Sequence, residues 1–237
     1  MTEVLQIKNL TYKLNLVSIL DDLTCTIPAG SIVGLLGANG AGKTTLMRLI
    51  SGVAKGFHGE INVNQQTSVV NRKQQISFSH QLDGSDRRAR LAQIVHDYTL
   101  LYPDFSATQF QQLADFLELD LHQRLSKLSK GNRNKFIVAL TLARQVPLYL
   151  LDEPFDGIDV MSRKKIIASI LKWKSETATI LISDHHVNDI ANLLDAVVIV
   201  KDKHVVAQEQ ADTIREKYGE SIEDYYENLY TGGENDD

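Results

Sequence analysis

The chain has 237 residues, 43% of them hydrophobic and 23% charged, with a formal net charge of −5 at pH 7. It is long enough for one large domain or a core with a smaller lobe, its charge gives no electrostatic reason to expect nucleic acid, and no apolar run approaches the roughly 18 residues of a membrane span. Cys25 is the single cysteine, which rules out an intrachain disulfide, and Met1-Thr2-Glu3-Val4 lacks the basic-then-apolar pattern of a secretion signal, so a reducing cytoplasmic setting is expected.

Residues 4–14 and 19–27 alternate as β-strands do, and Pro28-Ala29-Gly30 then turns the chain. An antiparallel sheet is therefore expected at the N-terminus. Within it Cys25 alternates with Leu23 and Ile27 and reads as a small core residue rather than a nucleophile or ligand. Ile32-Val33-Gly34-Leu35-Leu36 suits a buried parallel strand, and residues 46–50 continue with helical character. Between them lies Gly37-Ala38-Asn39-Gly40-Ala41-Gly42-Lys43-Thr44-Thr45, which fits the phosphate-binding spacing of glycine, four residues, glycine, lysine and hydroxyl. Its glycines let backbone N–H groups turn onto phosphate oxygens, and the following helix aims the positive end of its dipole at the same point. Lys43 is expected to reach the β- and γ-phosphates, Thr44 to bind Mg²⁺ through its hydroxyl, and Thr45 to add a contact to phosphate.

Further strands are expected at 59–63 and 76–79, the second ending at His80-Gln81. From 87 to 144 the pattern turns helical, with Tyr102-Pro103-Asp104-Phe105-Ser106 breaking one helix before the next at 107–119. This predicts a helical lobe inserted into the sheet domain, with Arg87, Arg88 and Arg90 on a solvated helix face. Leu148-Tyr149-Leu150-Leu151 returns to buried-strand composition and ends in Asp152-Glu153-Pro154. Ligands of open α/β sheets collect beyond the carboxyl ends of the strands, so both acids are expected near the phosphate loop. A helix at 160–174, a strand at 179–182 and a helix at 187–194 continue the alternation of a doubly wound sheet. Two strands joined near Asp202-Lys203 follow, then two short helices within 209–230 and a frayed tail at 232–237. There is one phosphate loop and no long internal repeat.

The order and spacing of these motifs resemble the ATP-binding subunit of ABC transporters over nearly the whole chain. The resemblance implies an α/β P-loop NTPase fold with a mixed sheet core at about 1–86 and 145–208, an antiparallel β subdomain, a helical subdomain at about 87–144 and a C-terminal helical extension at about 209–237. It implies ATP and Mg²⁺ as cofactors. Asp152 resembles the family's Mg²⁺-binding carboxylate and Glu153 its general base. Gln81 matches the glutamine that links the γ-phosphate to the transporter-facing loop, and joins Thr44 and Asp152 as a metal ligand. His185, after Ser183 and Asp184, resembles the switch histidine, with His186 one place late. Phe155-Asp156-Gly157-Ile158-Asp159 resembles the loop that communicates between two subunits.

The family's signature, Leu-Ser-Gly-Gly-Gln, stands here as Leu128-Ser129-Lys130-Gly131-Asn132. Ser129 and Gly131 keep a hydroxyl and a close backbone approach at a helix start, while Lys130 and Asn132 depart from the pattern. For the aromatic ring that stacks on adenine in many members, Tyr12 is the available candidate, whereas alignment backwards from Leu20 puts Leu14 there. Tyr102-Pro103-Asp104-Phe105, Leu117-Glu118-Leu119-Asp120, Ser129-Lys130-Gly131 and Ser221-Ile222-Glu223-Asp224-Tyr225-Tyr226 are similar to Gram-positive drug or peptide exporter subunits. The resemblance thus implies an ATPase on the inner face of the cell membrane that pairs as a homodimer or heterodimer with another ATP-binding subunit. It would power separate transmembrane permease subunits. A soluble ABC-type ATPase and a nucleotide-sensing regulatory module are the competing readings.

Overall fold

A computed structural model describes residues 2–79, 82, 85–185 and 187–231. Strands β1 (Glu3–Leu14), β2 (Val17–Pro28) and β4 (His58–Val63) form an antiparallel sheet in the order β2-β1-β4. The larger sheet runs β5-β6-β7-β3-β8-β9, built from β3 (Ile32–Leu36), β5 (Ile76–Phe78), β6 (Leu148–Asp152), β7 (Thr179–Asp184), β8 (Ala196–Lys201) and β9 (His204–Gln210). Its first five strands are parallel and β9 returns antiparallel to β8.

The parallel strands read as continuous apolar runs because both faces are covered. Along β3, Ile32 and Leu36 join a core that includes the helical insertion, while Val33 and Leu35 join a second core shared with the N-terminal sheet. The alternation repeats in β6, where Tyr149 and Leu151 face the first core and Leu148 and Leu150 the second. Helix α1 (Lys43–Ile50) fills the second core through Leu46, Met47, Leu49 and Ile50. Its N-terminus is therefore pinned at the carboxyl edge of the large sheet.

Cys25 belongs to this second core and is buried, as its alternation implies, and burial pushes its thiol up to about 12. A raised folded-state value means that the neutral thiol contributes stability in full below the unfolded value of about 8.5; this contribution is lost as pH climbs toward about 12. A thiol reagent at pH 8 should therefore label native Cys25 only at the rate of unfolding. Labelling at the rate of a free thiol would contradict this burial.

Between β5 and β6 the chain makes α3 (Leu91–Leu101), α4 (Ala107–Phe116) and α5 (Lys130–Leu142). Ser106 and Ser129 cap α4 and α5 by accepting from the N–H groups of Gln109 and Asn132. The helix expected to run to 119 ends earlier, because Glu118 adopts a left-handed backbone at φ 58°. Arg87, Arg88 and Arg90 are exposed as expected, but they lie in the turn ahead of α3 rather than on a helix face. Arg144 locks the insertion to the sheet. Its Nε and Nη2 donate to the two carboxylate oxygens of Asp104 at 2.8 and 2.7 Å, Nη1 donates to the Ile76 carbonyl at 2.7 Å, and the guanidinium lies 4.2 Å from the Tyr102 ring centroid.

Helix α2 (Val69–Gln74) was not foreseen, since six residues carry too little periodicity, although Ser68 caps it. After α6 (Val160–Trp173), the helix expected at 187–194 is instead two single 3₁₀ turns, Val187–Asp189 and Ala191–Leu193. Asn188 and Asn192 fall within this stretch, and asparagine has low helix propensity. The C-terminal stretch folds as α7 (Ala211–Thr213), a π turn at Ile214–Tyr218 and α8 (Ile222–Thr231). No helix among the described residues is long and apolar enough to cross a membrane.

Candidate functional site

Parallel register brings the site together. Leu36 pairs with Asp184 and Asp152 pairs with Ser183, so the carboxyl ends of β3, β6 and β7 finish side by side. The loop of residues 37–42 leaves β3 at this edge and enters α1 through Gly42, whose left-handed φ of 98° no residue with a Cβ takes easily. A Cβ there would also stand 2.8 Å from a Leu20 methyl, so the N-terminal sheet closes directly over the loop.

Lys43 is 4% exposed, and its Nζ donates to the carbonyls of Gly37 at 2.6 Å and Ala38 at 3.1 Å. Burial lowers its pKa, while the charges of Glu153, Asp152 and Asp184 act to raise it. Asn39, Gly40, Gly42, Lys43, Thr44, Thr45, Ile19 and Glu153 line one hollow of about 230 Å³. A cation, the first turn of a helix and a carboxylate thus share one concavity, which suits a phosphate chain with a water near its end.

The Thr44 hydroxyl donates to Asp152 Oδ1 at 3.0 Å, and the Ser183 hydroxyl donates to the same oxygen at 2.7 Å. The Asp152 N–H in turn donates to Ser79 Oγ at 2.8 Å. Thr44 and Asp152 are hard oxygen donors that line an adjoining hollow together with Ser79 and Glu153, the chemistry that suits Mg²⁺ when phosphates and waters supply its remaining ligands. Glu153 follows with a left-handed φ of 46°, a conformation that costs a non-glycine residue about 1–3 kcal/mol. Its N–H donates to both the carbonyl and the hydroxyl of Ser183, at 3.1 Å each, which holds the residue in that conformation. His185 Nδ1 lies 3.5 Å from Glu153 Oε1 and 3.9 Å from Asp184 Oδ1.

The structure thus brings the loop of residues 37–45, Asp152, Glu153 and His185 to one edge of the large sheet. Ser129 and Gly131 do not line this hollow. They open α5 against the loop after the carboxylates, where Lys130 Nζ meets Asp156 Oδ2 at 2.6 Å and Asn134 Nδ2 donates to the carbonyls of Pro154 and Asp156 at 3.3 Å each. Tyr12 is half-buried against the second core, opposite Leu20, and does not line the phosphate-loop hollow. Gln81 and His186 lie outside the described residues, as do His80, Asp83 and Gly84. Three residues that hold the site were not singled out for that role: Ser79, Ser183 and Tyr230. A serine facing a strand end carries no spacing signal, and Tyr230 is 192 positions from the loop it touches.

The sequence matches the ABC transporter family over residues 20–156. The ABC transporter ATP-binding protein AlbC of Bacillus subtilis is 30% identical over 198 residues, 79% of this chain and 83% of that protein. The fluoroquinolones export ATP-binding protein MT2762 of Mycobacterium tuberculosis is 28% identical, covering 87% of this chain and 70% of its own. The methionine import ATP-binding protein MetN 2 of Acinetobacter baylyi is 27% identical, covering 86% and 64%. A solved structure described as the ATP-binding subunit of an ABC transporter superposes with a TM-score of 0.85 at 24% identity, covering 96% of this chain and all of that one. The family match spans more than half of the sequence and falls on the phosphate loop and both carboxylates, so the chain belongs to the ABC transporter family as an ATP-binding subunit.

Proposed function

We propose that this chain hydrolyses ATP as one half of a head-to-tail pair and so drives a separate membrane-spanning partner. The observation that carries the reading is a division of labour. Lys43, Thr44, Asp152 and Glu153 share one edge of the sheet, while Ser129 and Gly131 stand apart from the phosphate-loop hollow of their own chain. A second copy would complete the site by presenting its Ser129 and the N-terminus of its α5 to the phosphates. Bound Mg²⁺, held by Thr44 and Asp152, would neutralise phosphate charge. Lys43 and the loop amides bind and orient the phosphates, Glu153 takes a proton from the attacking water, and His185 keeps that carboxylate aimed.

For the membrane partner, a groove of about 390 Å³ lies between the core and the helical insertion, lined by Val53, Phe78, Leu82, Tyr98, Tyr102 and Arg144 among others. Leu100 and Leu101, on the same helix as Tyr98, are each 70% exposed. Apolar side chains rimmed by polar ones suit a protein partner. Transport outward is the direction we favour, on the likeness of the 102–105 and 117–120 segments to exporter subunits. The importer among the relatives makes the direction a matter for reconstitution.

The pairing has a direct test. Cysteines placed at positions 38 and 129, in a Cys25→Ser background, should cross-link between chains, and more so with ATP in a Glu153→Gln form. Cross-links confined to single chains would contradict the pairing. Recovery of the protein only in the soluble fraction, even alongside its co-expressed membrane neighbours, would favour an ATPase that serves no transporter.

A further inference from the structure

The peptide between Gly37 and Ala38 is held from both sides. Its carbonyl accepts from Lys43 Nζ at 2.6 Å, and its N–H donates to the hydroxyl of Tyr230 at 2.9 Å. That hydroxyl in turn donates to the Val200 carbonyl at 2.6 Å, near the end of β8. The fit is close: a Cβ on Gly37 would stand 2.6 Å from the Val200 oxygen and 3.3 Å from the Tyr230 hydroxyl. So the plane that receives the phosphate-binding lysine is oriented by a side chain of the last helix.

That helix is itself anchored. Lys201 donates to the carbonyls of Leu229 and Tyr230 in the final turn of α8, at 3.0 and 3.2 Å, where a cation complements the helix dipole. The same ammonium lies 5.3 Å from the Tyr230 ring centroid, and the ring packs on Tyr226 with centroids 4.7 Å apart. Helix α8 also packs against the turn Val187–Asp189, just after His185. One element thus touches the start of the phosphate loop and the segment that follows the switch histidine.

We propose that Tyr230 is a positioning residue of the nucleotide site, orienting the Gly37–Ala38 peptide so that Lys43 and the loop amides stand ready for phosphate. The inference rests on the nucleotide reading above and adds the C-terminal helix to it. A loop pinned in advance loses less freedom on binding, so Tyr230 acts on affinity rather than on the chemical step. Nothing in its position brings the hydroxyl to the attacking water, because Tyr230 lines a separate hollow with Ala38 and Lys201, away from the one that Glu153 lines.

Tyr230→Phe removes the hydroxyl and keeps the ring. Loss of one neutral hydrogen bond of ordinary strength corresponds to about a three- to tenfold weakening. The Kd for MgATP, and with it KM, should rise by that factor, while kcat at saturation stays within about twofold. Hydrogen exchange of the Ala38 amide in the nucleotide-free protein should accelerate at least about tenfold, because its acceptor is gone. Tyr225→Phe, on the same helix but stacked on Tyr218, should change neither quantity. Wild-type affinity and wild-type exchange in Tyr230→Phe would overturn the proposal, and so would a fall in kcat at unchanged affinity. A wild-type chain that binds no nucleotide would instead end the nucleotide reading, and the role of Tyr230 with it; the exchange measurement separates that outcome from a missing contact.

Discussion

Replacing Lys43 by alanine should abolish saturable ATP binding in calorimetry. The side chain is buried, and its ammonium donates to two carbonyls of its own loop. Those bonds keep the charge beside the hollow. Removing one partner of a buried, hydrogen-bonded charge pair costs about 2–5 kcal/mol, which is roughly 30- to 5,000-fold in affinity. The fold should survive, because the aliphatic stem is a small part of a core built by Leu46, Met47, Leu49 and Ile50. Unchanged affinity in a folded Lys43→Ala protein would reject the phosphate site outright.

Glu153→Gln should bind ATP and turn it over about 10²- to 10⁴-fold more slowly, the range a positioned general base supplies. The amide keeps the shape of the side chain and the two bonds that Ser183 receives from the backbone N–H, so the left-handed backbone at 153 should be retained. Loss of one negative charge beside the terminal phosphate should also prolong the ATP-bound pair, visible as a slower return to monomer after dilution. Single-turnover hydrolysis at the wild-type rate would remove Glu153 from the mechanism.

What was legible in the sequence follows from which physical signals are local. The phosphate loop declares itself because its glycines, lysine and hydroxyl must be consecutive for backbone amides and one helix start to surround phosphate. Asp152 and Glu153 were legible because a buried-strand run ends on them, and the register of β6 with β7 places them where such ends collect ligands. Signals that depend on tertiary approach were not legible. Ser79 and Ser183, which orient Asp152, are ordinary serines at strand ends, and only the pairing of β5, β6 and β7 makes them neighbours of the carboxylate. The misplaced helix at 187–194 has a different cause. Its apolar spacing is helical, but the stretch also holds Asn188 and Asn192, residues of low helix propensity, and forms only single turns. The half-buried packing of Tyr12 against the second core, opposite Leu20, likewise depends on the register of β1 with β2 and has no local signal.

The lock made by Arg144 bears on how this subunit could be re-engineered. Asp104 and Tyr102 belong to the stretch joining α3 to α4, the carbonyl at Ile76 belongs to the sheet, and Arg144 follows α5, so three segments distant in sequence meet on one guanidinium. A chimera that transplants only residues 91–106 from a relative would separate an acid from its base and strand a buried charge. Exchangeable modules in this scaffold are therefore not contiguous cassettes. The smallest portable unit carries position 144 along with the graft, and libraries built to retarget the subunit should diversify 102, 104 and 144 as one linked triplet.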